Sequence, residues 1–155
     1  MNSKIAVVLI RGMVGISPDV KKTLELLRLK QKHACVVIDE NPINMGMVKR
    51  IKDYATYGLI DEKAFKELLD KRGELVGGKK VSSEKSVDTV KIAKEYFEGK
   101  TKLNEFEVKY NIKPFFRLAP PLKGFERKGI KMPYAKGGVL GDRKEKVFDL
   151  ISKML

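Results

Sequence analysis

The sequence predicts an α+β fold in which helices pack on a small three-stranded sheet. Two short β-branched, apolar runs, Lys4 to Arg11 and His33 to Asp39, flank a stretch with helical spacing. A third apolar run, Pro114 to Ala119, follows a long region whose apolar residues recur every three or four positions. That order of elements favours one layered unit with a single sheet.

Each element has its own punctuation. The first strand ends at Arg11 and the Gly12-Met13-Val14-Gly15 breaker. Ser17, Pro18 and Asp19 then form a helix start, because a side-chain oxygen, a pre-set φ and a negative charge all suit the first turn. Val20, Leu24 and Leu27 give that helix its apolar face. After the second strand, Asn41-Pro42 reads as a turn, and a helix from about Asn44 carries Val48, Ile51 and Ala55 and stops by Gly58. Asp61 caps a further helix bearing Phe65, Leu68 and Leu69, closed by Gly73. Two shorter helices are expected over Val87 to Phe97 and Leu103 to Tyr110, the second ended by Asn111. The Pro114 strand is followed by an aperiodic, extended basic loop from Pro120 to Gly141. Asp142 and Glu145 form a capping-box pattern for a last helix, with Val147, Leu150, Ile151 and Met154 as its buried stripe. The organisation expected is a strand-helix-strand-helix core over 1–60, a helical insertion over 61–112, and a third strand, basic loop and helix over 113–155, all one structural unit. The order of elements leaves the strand directions open.

Charge narrows the function. The 155 residues hold 33 Lys plus Arg against 20 Asp plus Glu, a net +13, and such an excess is a footprint for a polyanion rather than a need of the fold. The longest strongly apolar run, Ile5 to Ile10, is too short to cross a bilayer, so no membrane role is expected. A single cysteine, Cys35, makes no internal disulfide, which fits a reducing, cytoplasmic compartment.

From Asn111 to Lys146 there are ten basic and three acidic residues, so more than half of the excess lies in 36 positions. This segment supplies Arg117, Lys123, Arg127, Lys128, Lys131, Lys136 and Arg143 as candidate phosphate ligands, interleaved with Phe125 and Tyr134 as stacking faces for unpaired bases. A second basic group combines Arg11, at the end of the first strand, with Lys21, Lys22 and Arg28; Lys21 and Arg28 are seven residues apart and so share a helix face. Lys49 and Arg50, with Lys52 beside them, mark the second helix.

Catalytic constellations are poorly represented. Gly73 to Lys79 resembles a phosphate-binding loop, but Lys80 stands where a Ser or Thr must meet magnesium, and the segment follows a helix instead of a strand. His33 and Cys35 are too few for a metal site. Asp39 and Glu40 are adjacent on a strand and face opposite ways, which suits turn formation better than an acid/base pair. Neither an enzymatic activity, a small-molecule substrate nor a cofactor is expected.

The residues also resemble a family. Val20-Lys21-Lys22-Thr23-Leu24, Leu27-Arg28-Leu29, His33 to Asp39, Asn41-Pro42, Gly46-Met47-Val48 and Lys52-Asp53-Tyr54 are similar to the large-subunit ribosomal protein thirty family, whose eukaryotic counterpart is protein seven. Phe116-Arg117-Leu118-Ala119-Pro120-Pro121, Gly124-Phe125 and the Gly137-Gly138 to Gly141 run resemble its longer archaeal branch. The resemblance implies a ferredoxin-like, three-stranded sheet with two helices on one face, extra middle helices and a basic C-terminal extension. It also implies attachment to large-subunit ribosomal RNA without catalysis, beside neighbouring ribosomal proteins, as one copy per ribosome and a monomer when free. Use of the first helix on RNA adds Thr23 to Lys21, Lys22 and Arg28. Two other readings stay open: a nucleic-acid-binding regulator acting outside the ribosome, and a nucleotide-dependent enzyme using Gly78-Lys79.

Overall fold

A computed structural model describes residues 3–155, so the first two residues of the 1–60 unit lie outside the described residues. The elements are β1 (Lys4–Leu9), α1 (Pro18–Leu26), β2 (Ala34–Asp39), α2 (Pro42–Arg50), β3 (Ala55–Ile60), α3 (Glu62–Arg72), α4 (Thr89–Phe97), α5 (Phe106–Tyr110), β4 (Phe116–Arg117), β5 (Gly141–Asp142) and α6 (Val147–Met154). The class is the expected α+β, but the sheet has five strands, in the order β4-β2-β1-β3-β5.

Strand directions follow from where the chain re-enters the sheet. The His33 amide donates to the Leu9 carbonyl at 2.8 Å, so the chain returns to the end it left, and β2 runs antiparallel to β1. The turn is made by left-handed backbone at Arg28 and His33, at φ 62° and 68°. From the other end, α2 crosses back and β3 starts at Ala55 opposite Leu9, also antiparallel to β1. β2 and β3 are therefore parallel with β1 between them, a split βαβ unit.

β1 is buried on both faces. Ile5, Val7 and Leu9 join Val36, Ile38, Leu24, Leu27, Val48 and Ile51 under α1 and α2, the two helices expected on one face. Ala6, Val8 and Ile10 meet a larger layer built from Cys35, Phe65, Leu68, Tyr96, Phe106, Ile151 and their neighbours on the later helices. Burial in that layer pushes the Cys35 thiol up to about 12. Lys4, only 2 % exposed, also points there; its ammonium pairs with Asp39 and lies 3.9 Å from the Tyr96 ring centroid. The Tyr96 hydroxyl donates to the Val37 carbonyl at 2.6 Å, and burial, then the Asp39 charge, raises its pKa.

Four sequence expectations need correction. The third long strand is β3, not Pro114 to Ala119, of which only Phe116–Arg117 pairs with β2. Helix α2 stops at Arg50, and Gly58 is the middle of a strand rather than a stop. A Cβ at Gly58 would lie 2.1 Å from the Lys144 carbonyl oxygen, so glycine is required for close backbone approach. Asn41 caps α2 by accepting from the Asn44 amide at 2.8 Å, with Pro42 in the first turn, so that helix starts earlier than expected. Asp142 lies in β5 and accepts from the Lys144 amide at 2.8 Å; α6 begins at Val147, after a 3-10 turn.

Replacing Gly58 with Ala is expected to lower stability by about 1 to 3 kcal/mol, because the opposing atom is backbone and yields little. Denaturant midpoints of the two proteins check this, and equal midpoints would contradict the packing account.

Candidate nucleic-acid interface

The topology gathers cations at one end of the sheet. At this end β1 leaves at Leu9, β2 enters at Ala34 and β3 enters at Ala55. Arg11 follows β1 directly, and its guanidinium lies 5.3 Å from the Tyr54 ring centroid in the turn after α2. Lys49 and Arg50 form the exposed last turn of α2, where cations also complement the negative end of the helix dipole. Lys32 sits in the turn before β2, and Arg117 on β4 lies opposite Ala34 of β2. The other end carries Asp39, Glu40, Asp61 and Glu62 together with Lys4, which pairs with Asp39, and Lys63, so it lacks the cation excess of the first end.

The basic loop folds on itself rather than extending. The Tyr134 amide donates to the Leu140 carbonyl at 2.7 Å, Gly138 to Pro133 at 2.9 Å and Val139 to Met132 at 2.9 Å. A Cβ at Gly138 would fall 2.0 Å from the Met132 carbonyl oxygen, so this reversal admits no side chain. β5 then docks the loop beside β3 at Thr56 and Tyr57, again at the basic end. Lys123, Arg127, Lys128, Lys131 and Lys136 are all exposed on it.

One arginine holds the loop in place. Arg143 is 3 % exposed; its Nε donates to the Thr56 hydroxyl at 3.0 Å, Nη1 to the Glu126 carboxylate and Nη2 to the Val139 carbonyl at 3.3 Å. Its guanidinium also lies 4.6 Å from the Tyr134 ring centroid. Burial would raise the Glu126 carboxyl, but hydrogen bonds from Arg143 and the backbone, with the charges of Arg143 and Lys153, outweigh it and hold it below the ordinary range.

Several of the expected RNA ligands have partners within the fold. Arg143 is a clamp inside the fold, buried and bonded to Thr56, Glu126 and Val139. One face of Tyr134 is covered by that guanidinium. Phe125 is half-buried and stacks on His33 at 6.2 Å, and burial, then Lys32, lowers the His33 pKa, which favours the neutral ring. Thr23 is 3 % exposed and donates its hydroxyl to the Asp19 carbonyl at 2.9 Å. Arg28 lies beyond the end of α1, so it does not share a helix face with Lys21, and it pairs with Glu107 at 3.3 Å. Lys21 and Lys22 remain exposed on α1.

The structure also places residues that sequence pattern did not single out. Lys30, Gln31 and Phe115 line a groove of about 360 Å³ with Arg28, Glu107 and Arg117. Spacing held no signal for this group, because the left-handed turn at Arg28 and the β2–β4 pairing bring it together.

The other motifs singled out in the sequence do not form the sites they resemble. Gly77-Gly78 is the tip of a tight hairpin in which the Leu75 amide donates to the Lys79 carbonyl at 2.7 Å, and a three-residue 3-10 turn follows instead of the helix a phosphate loop needs. Among the described residues no three His, Cys, Asp or Glu side chains converge as a metal would require, and no helix is long and apolar enough to cross a membrane.

Comparison with known proteins agrees with the resemblance. The family described as Ribosomal protein L30p/L7e matches residues 5–55. Large ribosomal subunit protein uL30 of Methanococcus vannielii is 43% identical over 151 residues, covering 97% of this chain and 98% of its own. The chain belongs to the L30p/L7e family. The uL30 proteins of Methanopyrus kandleri and Nanoarchaeum equitans are each 41% identical, over 94% and 97% of this chain and 99% and 97% of theirs. The matched family segment runs from β1 to the start of β3, while the uL30 relatives extend the likeness over the helical middle and the clamped loop.

Two substitutions test the clamp. Arg143→Met is expected to lower stability by about 3 kcal/mol, the low end for a broken buried pair because Glu126 reaches solvent. Glu126→Gln is expected to destabilise at neutral pH. The folded-state pKa of Glu126 is depressed, so its contribution is present above the ordinary value of 4.5 and is lost as pH falls through the folded-state value. The stability gap between wild type and Glu126→Gln, read by denaturant unfolding, therefore narrows below that value; a gap independent of pH would refute the charge-based account.

Proposed function

We propose that this protein is a non-catalytic structural component of the large ribosomal subunit, located in cytoplasmic ribosomes and attached to ribosomal RNA through the basic end of its sheet. The observation that carries the reading is the fixed, exposed cation set on the clamped loop, Lys123, Arg127, Lys128, Lys131 and Lys136, beside Arg11, Lys49 and Arg50, in a member of a ribosomal family. Lys21 and Lys22 extend it along α1. Neighbouring ribosomal proteins pack on its remaining faces, with one copy per ribosome and a monomer when free.

The mechanism is charge neutralisation on a rigid frame. Each Lys or Arg that meets a phosphate releases condensed counterions, so affinity depends steeply on salt. The frame sets the spacing of those cations before RNA arrives, which lowers the ordering cost of binding. Recognition then rests on RNA shape and a few unstacked bases.

With six to ten phosphate contacts, affinity for a large-subunit RNA fragment falls by about 10³ to 10⁵ between 50 and 200 mM salt. Replacing Arg127, Lys128 and Lys131 together with Ala is expected to weaken binding and reduce the salt slope by roughly two to three. Binding unchanged at every salt concentration would remove the loop from the interface. Sedimentation of cell extract separates the alternatives: salt-resistant migration with the large subunit supports this reading, and recovery only at the top of the gradient favours a free regulator.

A further inference from the structure

The groove beside β4 has the dimensions and chemistry of a single-nucleotide site. It holds about 360 Å³, within the range of small-ligand pockets and far too small for a duplex. Its walls are Arg28, Lys30, Gln31, Glu107, Phe115 and Arg117, with Ala34 as its small floor. Three cations against one carboxylate make it an anion site, yet it also contains a half-buried aromatic ring.

The parts are arranged for different portions of a nucleotide. The Arg117 guanidinium carbon lies 5.9 Å from the Phe115 ring centroid, a loose contact that leaves a cationic plane and an aromatic face side by side. Bases stack on both kinds of surface. Gln31 is exposed and offers a donor and an acceptor to a base edge, while exposed Lys30 can reach a phosphate. Arg28 is steadied by Glu107 at 3.3 Å, with its side chain still 34% exposed.

The sheet edge adds backbone groups. Leu118 donates its amide to the His33 carbonyl at 3.1 Å, so the alternation of an antiparallel pair turns the Arg117 amide and carbonyl outward, away from β2. No strand lies beyond β4 in the described sheet. The same residue therefore presents a guanidinium and an unpaired strand edge to the solvent beside the groove.

We propose that this groove captures one unstacked nucleotide of a ribosomal RNA strand, with the base against Phe115 and Arg117 and the flanking phosphate at Lys30 and Arg28. The assignment rests on the RNA-binding reading above and adds a base-stacking site separate from the charge-only contacts of the loop. Phe115 contributes no charge, so its role is separable from theirs by salt.

The test uses the full chain and deproteinised large-subunit ribosomal RNA, with thermal melting confirming that each variant is folded. Phe115→Leu keeps an apolar side chain but removes the aromatic face, and is expected to weaken binding about tenfold at every salt concentration with the slope unchanged. Arg117→Gln is expected to weaken binding and flatten the slope by about one. Irradiation of 4-thiouridine-substituted RNA bound to wild type is expected to crosslink a peptide from the groove. Wild-type binding matched within twofold by folded Phe115→Leu, with no crosslink in residues 28–34 or 115–117, overturns the groove while leaving the loop interface standing. A wild-type chain that does not bind the RNA at all overturns both. Saturable binding of free AMP or UMP, abolished by Phe115→Leu while RNA binding is not, makes the groove a mononucleotide site and also overturns the proposal.

Discussion

A single buried guanidinium ties the longest irregular segment of this protein to its sheet. Arg143 reaches a hydroxyl on β3, a carboxylate early in the loop, a carbonyl late in it and the face of Tyr134. Five donors in one plane suit such a junction, and a lysine offers no equivalent fork. Arg143 adds to the backbone bonds of the loop and the β5–β3 pairing, which hold the loop's ends. With it, a stretch dense in like charge keeps one conformation although mutual repulsion opposes compaction. The basic character of the loop and its rigidity thus come from different arginines and lysines, and only the exposed ones face outward.

The position of the proposed interface follows from strand direction. Because β2 begins where β1 ends, and β3 begins beside them, three connections emerge at one edge of the fold. Loops are where binding residues concentrate, on scaffolds that hold them still. Here the scaffold is a strand buried on both faces, and a lysine, a carboxylate and a tyrosine close its far end.

Much of this was legible in the sequence, and the failures have physical causes. Periodicity located β1, β2, α1, α3, α4 and the buried stripe of α6, because each buries one face in a regular pattern. It missed β3, since a glycine in mid-strand reads as a stop until the approaching backbone of Lys144 is known. Composition found the basic loop but could not tell a charged group facing water from one facing inward. Arg143 and Thr23 look like their exposed neighbours in sequence and differ only in what packs over them. Phe115 carried no signal, because its partners come from the turn before β2 and from α5.

The crowding of cations at one end of the strands has a kinetic consequence. A body whose cations crowd one end experiences a torque in the field of a polyanion. It therefore turns its basic end forward during approach, before any hydrogen bond forms. At physiological ionic strength that field fades over about 8 Å, so the alignment happens in the last step of diffusion. Encounters with the other end leading gain less attraction, so wrong orientations are held more briefly than the right one.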